Sequence, residues 1–182
     1  MIKGVYERRQ EAPLWWYNKS SDLHASAGAV WIAMQNEHVF SKQLDLGSGF
    51  SMSVACWPVY QMLYGMSFEL ILKAIIVAKK LPVPHTHDLS KLLNKTELSF
   101  DDKTVKVLEV LSGSIVWDGR YPVPKREEDM NEYYRNIEAA LYDKVLLGKL
   151  HIKKPNGALD WNRLDPLWHQ LTNIFFEQIN VT

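Results

Sequence analysis

Histidine and acidic side chains lie close together in the segment His85-Thr86-His87-Asp88. Two imidazoles and a carboxylate can ligate zinc or another divalent ion if an extended backbone brings both rings to one side. A metal-dependent hydrolase centred on His85, His87 and Asp88 is therefore one hypothesis. Its further ligands would have to come from Glu69, His24, His38, His151 or His169. The alternative is that His87 or Asp88 caps the following helix. Because short motifs often match by accident, the sequence favours the cap and predicts no metal.

An acid and a base, Glu69 and Lys73, lie four residues apart with the acid first, which is the favourable order on a helix. The helix around them is apolar on nearly every side, so its polar or small positions form one narrow line. That line consists of Gln61, Gly65, Glu69 and Lys73. Two interpretations stay open for the pair. It faces a polar groove shared with His87 and Arg120, or it is the exposed edge of the helix.

Arg120 lies between two aromatic residues, Trp117 and Tyr121, in a proline-rich loop. A guanidinium offers a planar fork for phosphate or carboxylate, and aromatic rings stack on bases. Equally, Arg120 fixes its loop by pairing with Glu69 or Asp88. A second aromatic run, Trp15-Trp16-Tyr17, is more typical of a staple onto the core or of a dimer contact than of a base-stacking platform.

Several common catalytic motifs are missing from the sequence. The stretch Gly47-Ser48-Gly49 matches neither the phosphate-loop pattern nor the full dinucleotide-binding pattern, and no G-x-S-x-G elbow occurs. The one cysteine, Cys56, has apolar neighbours, which predicts a core residue rather than an exposed nucleophile. A lone cysteine cannot form an internal disulfide, which fits a reducing compartment, and we expect the protein to be cytoplasmic.

The elements that must position these residues are helices. The apolar spacing predicts an all-α fold, a compact antiparallel bundle of about five helices. The expected helix starts are a cap at Ser20-Ser21-Asp22, a long helix from Pro58 to Lys80, a short helix from Asp88, a Ser99/Asp102 capping box, Glu127, and Asp165-Pro166. No strand alternation longer than a few residues is evident.

Length and charge limit the classes of function. A chain of 182 residues is expected to form a single domain, 1–182. Lys plus Arg equal Asp plus Glu at 21 each, and neither half is strongly basic, so broad electrostatic binding to duplex nucleic acid is not expected.

The uncharged stretch 46–68 holds too many polar residues for a lipid-facing span, and the charged segment 1–13 is unlike a secretory signal. We therefore expect no membrane partner.

Three pieces of residues 58–124 together resemble the HEPN family, helical-bundle domains named for nucleotide binding in higher eukaryotes and prokaryotes. The pieces are Gly65–Ala74 with its E-x-x-x-K-A pattern, Thr86-His87-Asp88-Leu89, and Arg120-Tyr121-Pro122. Their order and spacing look like one branch of that family. The resemblance implies a helical bundle, frequently a homodimer, that works beside a nucleotidyltransferase-like partner or in toxin, defence or RNA-processing systems.

The resemblance also implies an alternative activity. Some HEPN proteins are metal-independent ribonucleases with an R-x(4–6)-H motif, in which arginine holds the phosphate and histidine transfers protons. Arg120 has no histidine at that distance, and the formal match here is Arg163 to His169. Matches at these spacings are frequent by chance, and Leu164 and Pro166 depart from the motif. An endoribonuclease built by Arg163 and His169 of two chains is thus the rival hypothesis.

The leading hypothesis is a non-catalytic or degenerate HEPN-like module that needs no cofactor and binds a nucleotide, RNA or a protein partner. Its groove would be lined by the residues at which charge converges in the sequence. These are Glu69, Lys73, His87, Asp88, Trp117, Arg120 and Tyr121.

Overall fold

A computed structural model describes residues 4–148 and 150–180 of the chain. Residues 1–3, at the start of the charged N-terminal segment, and both ends of the expected domain 1–182 lie outside the described part. Eight α-helices form within it: α1 (Val5–Glu11), α2 (Pro13–Gln35), α3 (Glu37–Gln43), α4 (Met52–Ala78), α5 (Leu89–Thr96), α6 (Asp102–Gly113), α7 (Glu127–Leu141) and α8 (Trp161–Asn180). A π-turn (Ser114–Asp118) and two strands, β1 (Tyr142–Leu147) and β2 (Leu150–Pro155), complete the fold. The expected count of about five helices was too low because α1 and α3 have only seven residues each and bury none of them, so no apolar pattern marks them.

Helix α4 runs through the centre of the core, as its apolar sequence predicts. It begins at Met52 rather than near Pro58, with the Ser51 hydroxyl accepting a hydrogen bond from the Val54 amide at 3.3 Å. Its first turn is largely exposed, so no apolar pattern marks it, and Pro58 lies inside the helix. One 18-residue window of α4 is long and apolar enough to cross a membrane, with a mean hydropathy of 1.4, but 72% of that window is buried inside the fold.

Helices α2 and α8 cover α4 from the two ends of the chain. The expected cap at Ser20 is wrong, because α2 begins at Pro13 and Ser20 is fully buried within it. The Ser20 hydroxyl donates to the Ser67 carbonyl at 2.7 Å and accepts from the Trp168 indole at 3.1 Å. One hydroxyl therefore joins α2, α4 and α8.

The second half of the bundle is built from α5, α6, the π-turn and α7. Asp88 caps α5 by accepting from the Lys91 amide at 3.0 Å, which confirms the capping interpretation of that residue. Helix α6 is capped by Asp101, which accepts from the Thr104 amide at 2.9 Å, so the expected Ser99/Asp102 box is wrong. Helix α7 begins at Glu127 as predicted.

The C-terminal third differs from an all-α fold by a β-hairpin. Strands β1 and β2 are antiparallel, with Val145 opposite Ile152. Tyr142, Val145, Leu146, Leu150 and Ile152 are exposed rather than in the core, so the pattern used to find core-facing elements does not mark the strands. Helix α8 begins at Trp161, so the expected start at Asp165-Pro166 is wrong and Pro166 lies inside the helix.

Candidate functional site

Three predicted residues form one hydrogen-bonded chain at the centre of the fold. The Lys73 ammonium donates to Glu69 Oε1 at 2.6 Å, and His87 Nδ1 lies 2.9 Å from Glu69 Oε2. Glu69 and Lys73 are only 6% and 8% exposed, so the pair is not the exposed edge of its helix. Each carboxylate oxygen therefore has its own donor, one from α4 itself and one from the loop before α5.

The arrangement fixes the tautomer of His87. An ionised carboxylate only accepts hydrogen bonds, so Nδ1 carries the ring proton when the imidazole is neutral, and Nε2 is left as an acceptor. The side chain of His87 is 61% exposed. Glu69 thus orients an accessible imidazole from a buried position.

Packing accounts for the other two positions on the polar line of α4. The Gln61 amide oxygen accepts from the Ser114 hydroxyl at 3.2 Å. At Gly65 an added Cβ would lie 2.9 Å from the Leu111 carbonyl oxygen and 2.8 Å from the Ile115 side chain. Both residues bring α4 close to α6 and the π-turn.

On the Lys73 side of Glu69 lies a groove of about 1070 Å³, which we call the N-terminal groove. Its walls are α1, the start of α2, the end of α4 and the loop after α4. It is lined by Tyr6, Arg9, Gln10, Glu11, Trp16, Lys73, Val77, Lys80, Leu81, Pro82, Val83, Pro84 and His85. The groove therefore combines three basic side chains and two aromatic rings with the Glu11 carboxylate and an apolar surface.

On the His87 side of Glu69 lies a second recess of about 580 Å³, which we call the acidic cleft. It is lined by His85, Thr86, His87, Asp88, Ser90, Glu109, Ser112, Gly113, Val116, Trp117, Asp129, Glu132, Tyr133 and Asn136. No lysine or arginine is among these lining residues. Burial raises the pKa of the Tyr133 phenol, which donates to Asp118 at 2.9 Å and so stays a neutral donor.

The seven residues predicted to line one groove do not line a single recess. His87, Asp88 and Trp117 line the acidic cleft, whereas Lys73 lines the N-terminal groove. Trp117 is 6% exposed and packs edge-on against Tyr133 at 5.1 Å between ring centroids, so its faces are not free for a base.

Arg120 and Tyr121 line neither recess. The Arg120 guanidinium donates to the Val116 carbonyl and lies over the Tyr121 ring at 5.3 Å. Arg120 thus fixes its own loop, but through a carbonyl of the π-turn rather than through Glu69 or Asp88.

Arg163 and His169 lie on different faces of α8. Arg163 lines a recess beside Asp101 of α6 and Asp143 of β1. His169 instead lies 3.5 Å from Asp165, whose carboxylate also contacts His24 of α2 at 2.9 Å. Within one chain, the two residues therefore do not converge on one phosphate.

Three of the residues proposed as metal ligands have other partners. His87 contacts Glu69, Asp88 caps α5, and His24 stacks on Trp168 at 4.1 Å between ring centroids. Across residues 4–148 and 150–180, no group of three or more His, Cys, Asp or Glu side chains is arranged to hold a metal ion.

The aromatic run at the start of α2 packs in three different ways. Trp16 donates its indole N–H to the Gln10 carbonyl at 3.0 Å and so joins α1 to α2. Tyr17 stacks on Phe175 at 5.0 Å, while Trp15 is 51% exposed beneath the guanidinium of Arg9. Two of the three residues act as the expected staple.

A family model described as HEPN domain matches residues 51–145, just over half of the 182-residue chain. The chain belongs to the HEPN domain family. The match contains the whole Glu69–Lys73–His87 chain and confirms the resemblance seen over 58–124. No curated protein and no solved structure matches the chain significantly.

The N-terminal groove of this HEPN protein includes residues that sequence reasoning did not select. Tyr6, Arg9, Trp16 and Lys80 lie far from Lys73 or beyond the end of its helix, and three of them precede the HEPN match. The sequence did hold a signal, since Tyr6, Arg8 and Arg9 lie within four positions of one another before Pro13. It gave no indication that α1 lies across the end of α4.

Proposed function

We propose that this HEPN domain is a non-catalytic binding module that takes a nucleotide, free or as part of single-stranded RNA, in the N-terminal groove. The observation that carries the proposal is the groove's lining, which places Arg9, Lys73 and Lys80 with Tyr6 and Trp16 around one recess. Cations that hold a phosphate beside rings that stack on a base are the usual elements of sequence-independent nucleotide binding.

The size of the groove supports this ligand class. Pockets for small molecules are commonly about 300–1,000 Å³, and a groove of about 1070 Å³ has room for a nucleotide with its sugar and phosphate. Leu81, Pro82 and Val83 provide an apolar surface for the base. The protein's net charge of zero does not oppose such a local basic site.

In this groove, the ammonium of Lys73 is held in place before a ligand binds. Its ammonium is fixed by Glu69 at 2.6 Å, so little side-chain freedom is lost when a phosphate approaches. Arg9 and Lys80 are exposed and add charge that attracts an anion from solution. The expected binding is therefore sensitive to salt.

Fluorescence anisotropy with a labelled single-stranded RNA, and competition by ATP, test the proposal directly. Arg9→Glu and Lys80→Glu are each expected to weaken RNA binding by about tenfold, because each loses a charge-assisted contact worth about 1.5 kcal/mol. Tyr6→Ala is expected to weaken it by a similar factor through lost stacking. ATP should displace the RNA if a single nucleotide is enough for recognition.

Lys103→Glu is the matched charge reversal, because Lys103 is exposed on α6 and lines another recess. Arg120→Ala tests the loop site predicted from the sequence. Neither change should alter the dissociation constant. Unchanged binding in both Arg9→Glu and Lys80→Glu, or a loss in Arg120→Ala alone, would refute the groove.

The same RNA, incubated with the protein in excess chelator, tests the absence of catalysis. We expect it to stay intact. Cleavage by the wild type that is lost in both Arg163→Ala and His169→Ala would establish the rival ribonuclease, with the two residues supplied by different chains.

A further inference from the structure

Trp15 is the residue of the aromatic run at the start of α2 that does not act as a staple. Its ring is 51% exposed, and the guanidinium carbon of Arg9 lies 4.6 Å from the ring centroid. Single exposed apolar side chains are common on protein surfaces, so exposure alone assigns Trp15 no role. Its surroundings decide whether the ring belongs to a site.

These surroundings form a recess of about 450 Å³, which we call the Trp15 recess. It is lined by Arg9, Trp15, Trp16, Asn18, Lys19, Asp22 and Leu70. Trp15, Asn18, Lys19 and Asp22 follow one another along α2 at steps of three, one and three residues, so they lie on one face of that helix. One helix face therefore presents a ring, an amide and an ammonium to the same space, which is large enough for a small planar ligand.

The Trp15 recess adjoins the N-terminal groove. Arg9 and Trp16 line both, and the Trp16 indole is fixed at this border by its hydrogen bond to the Gln10 carbonyl at 3.0 Å. Leu70, which lines the recess, and Lys73, which lines the groove, are three residues apart on α4 and so are neighbours on its surface. The recess and the groove are therefore adjacent parts of one surface that share Arg9.

Arg9 is available to bind an anion at this border. Among the described residues, no carboxylate pairs with its guanidinium and no oxygen accepts a hydrogen bond from it. The contact with Trp15 uses the face of the ring as the partner of the charge, which leaves the N–H donors of Arg9 for a phosphate. With Arg9 and Lys19 against Asp22, the recess keeps a net positive charge.

We propose that the Trp15 recess is a second nucleotide subsite, so that the ligand of this domain is a single strand of RNA at least two nucleotides long. One base binds in the N-terminal groove, the adjacent base stacks on Trp15, and Arg9 contacts the phosphate that joins them. Aromatic rings that take successive bases, with cations along the backbone, are the usual means of binding a single strand without reading its sequence. This inference rests on the proposed function, because the first nucleotide occupies the N-terminal groove.

The dependence of binding on RNA length tests the second subsite. AMP and oligoadenylates of two, three and four nucleotides compete with a labelled single-stranded RNA for the full chain, and fluorescence anisotropy measures their affinities. The wild type is expected to bind the tetranucleotide about tenfold more tightly than AMP or better, because a further base is stacked and further phosphates are contacted. Trp15→Ala should reduce this ratio of affinities by about fivefold or more, which is the effect of losing one stacked base.

Three further variants separate stacking and charge from a structural role of Trp15. Trp15→Phe keeps a ring for stacking and should retain the wild-type ratio. Leu14→Ala is the matched control, because Leu14 is 50% exposed on the same helix and lines neither recess, so the ratio should not change. Lys19→Glu should weaken the tetranucleotide more than AMP, whereas the charge reversal at Lys103 should weaken neither.

The possible failures of this experiment are distinguishable. A wild type that binds AMP as tightly as the tetranucleotide would overturn the second subsite and leave the proposed function standing. A preference for the tetranucleotide that Trp15→Ala does not reduce would also overturn it, because the strand would then leave the groove by another path. Binding of neither AMP nor any oligoadenylate would refute the proposed function, and this inference with it.

Discussion

Glu69 is a buried acid whose charge is balanced by the Lys73 ammonium at 2.6 Å, and its other carboxylate oxygen lies 2.9 Å from His87 Nδ1. Removing one partner of a buried ion pair leaves the other charge without compensation, which costs far more than the pair contributes in total. The consequence for this protein is that Glu69 and Lys73 tolerate joint replacement better than single replacement.

Glu69→Ala should lower the free energy of unfolding by about 3 kcal/mol, because the Lys73 ammonium stays buried without its acceptor. The double variant Glu69→Ala/Lys73→Met should recover a large part of that loss. Urea unfolding of the wild type, both single variants and the double variant measures the coupling as a double-mutant cycle. Additive losses in the double variant would show that the two residues act independently.

His24 should make stability depend on pH. Burial lowers its pKa below the ordinary value of 6.5, against the opposing effect of Asp165. Between the lowered value and 6.5 the unfolded chain therefore binds more protons than the folded one, so stability falls as the pH falls through this window. The melting temperature of His24→Gln should decline less steeply below pH 6.5 than that of the wild type. Identical slopes would contradict this assignment.

Helix boundaries show which parts of the secondary structure could be predicted from the sequence. The centre of α4, the cap at Asp88 and the start of α7 were predictable, because apolar periodicity and local capping chemistry mark them. The first turns of α2, α4 and α8 were not. Ser20 resembles a cap but is a buried link between helices, and two prolines lie inside helices rather than at their starts.

Gly65 sets the distance between α4 and α6. Gly65→Ala should lower the free energy of unfolding by about 2 kcal/mol, since the new Cβ would lie 2.9 Å from a backbone carbonyl that cannot rotate away. Gly47→Ala is the control, because nothing lies within 4 Å of its added Cβ. Thermal unfolding of both variants distinguishes crowding from a general effect of replacing glycine, and equal shifts would argue against crowding.

The candidate site was also predictable only in part, because the sequence shows local chemistry but not how distant elements pack. A polar groove shared by Glu69 and Lys73 with His87 and Arg120 was one of two interpretations drawn from the sequence, and of these residues the structure brings His87 to Glu69. Arg120 was expected in the same groove but contacts its own π-turn instead. Which recess a loop residue faces depends on how whole elements pack, and spacing along the chain carries no such information.

At the scale of the whole molecule, the core extends beyond the family match. Ala27, Met34, Leu164, Trp168 and Phe175 belong to the buried cluster around α4, and all of them lie outside residues 51–145. These residues come from α2 and α8. The family-defining segment therefore depends on both flanking regions for its apolar cover.

Residues 51–145 expressed alone should lack a cooperative thermal transition and should bind the dye ANS, since the apolar surface under α2 and α8 is uncovered. The full chain, measured in parallel, should unfold cooperatively without binding the dye when native. A sharp transition in the fragment, with no dye binding, would show that the flanking helices are dispensable for folding.

The hydrogen bond between Ser20 of α2 and Trp168 of α8 forms only after α8 has been synthesised. Helix α4 leaves the ribosome long before α8 does, and until α8 follows, one side of an 18-residue window with a mean hydropathy of 1.4 stays uncovered. We therefore expect the nascent chain to expose this apolar side of α4 until α8 has been synthesised.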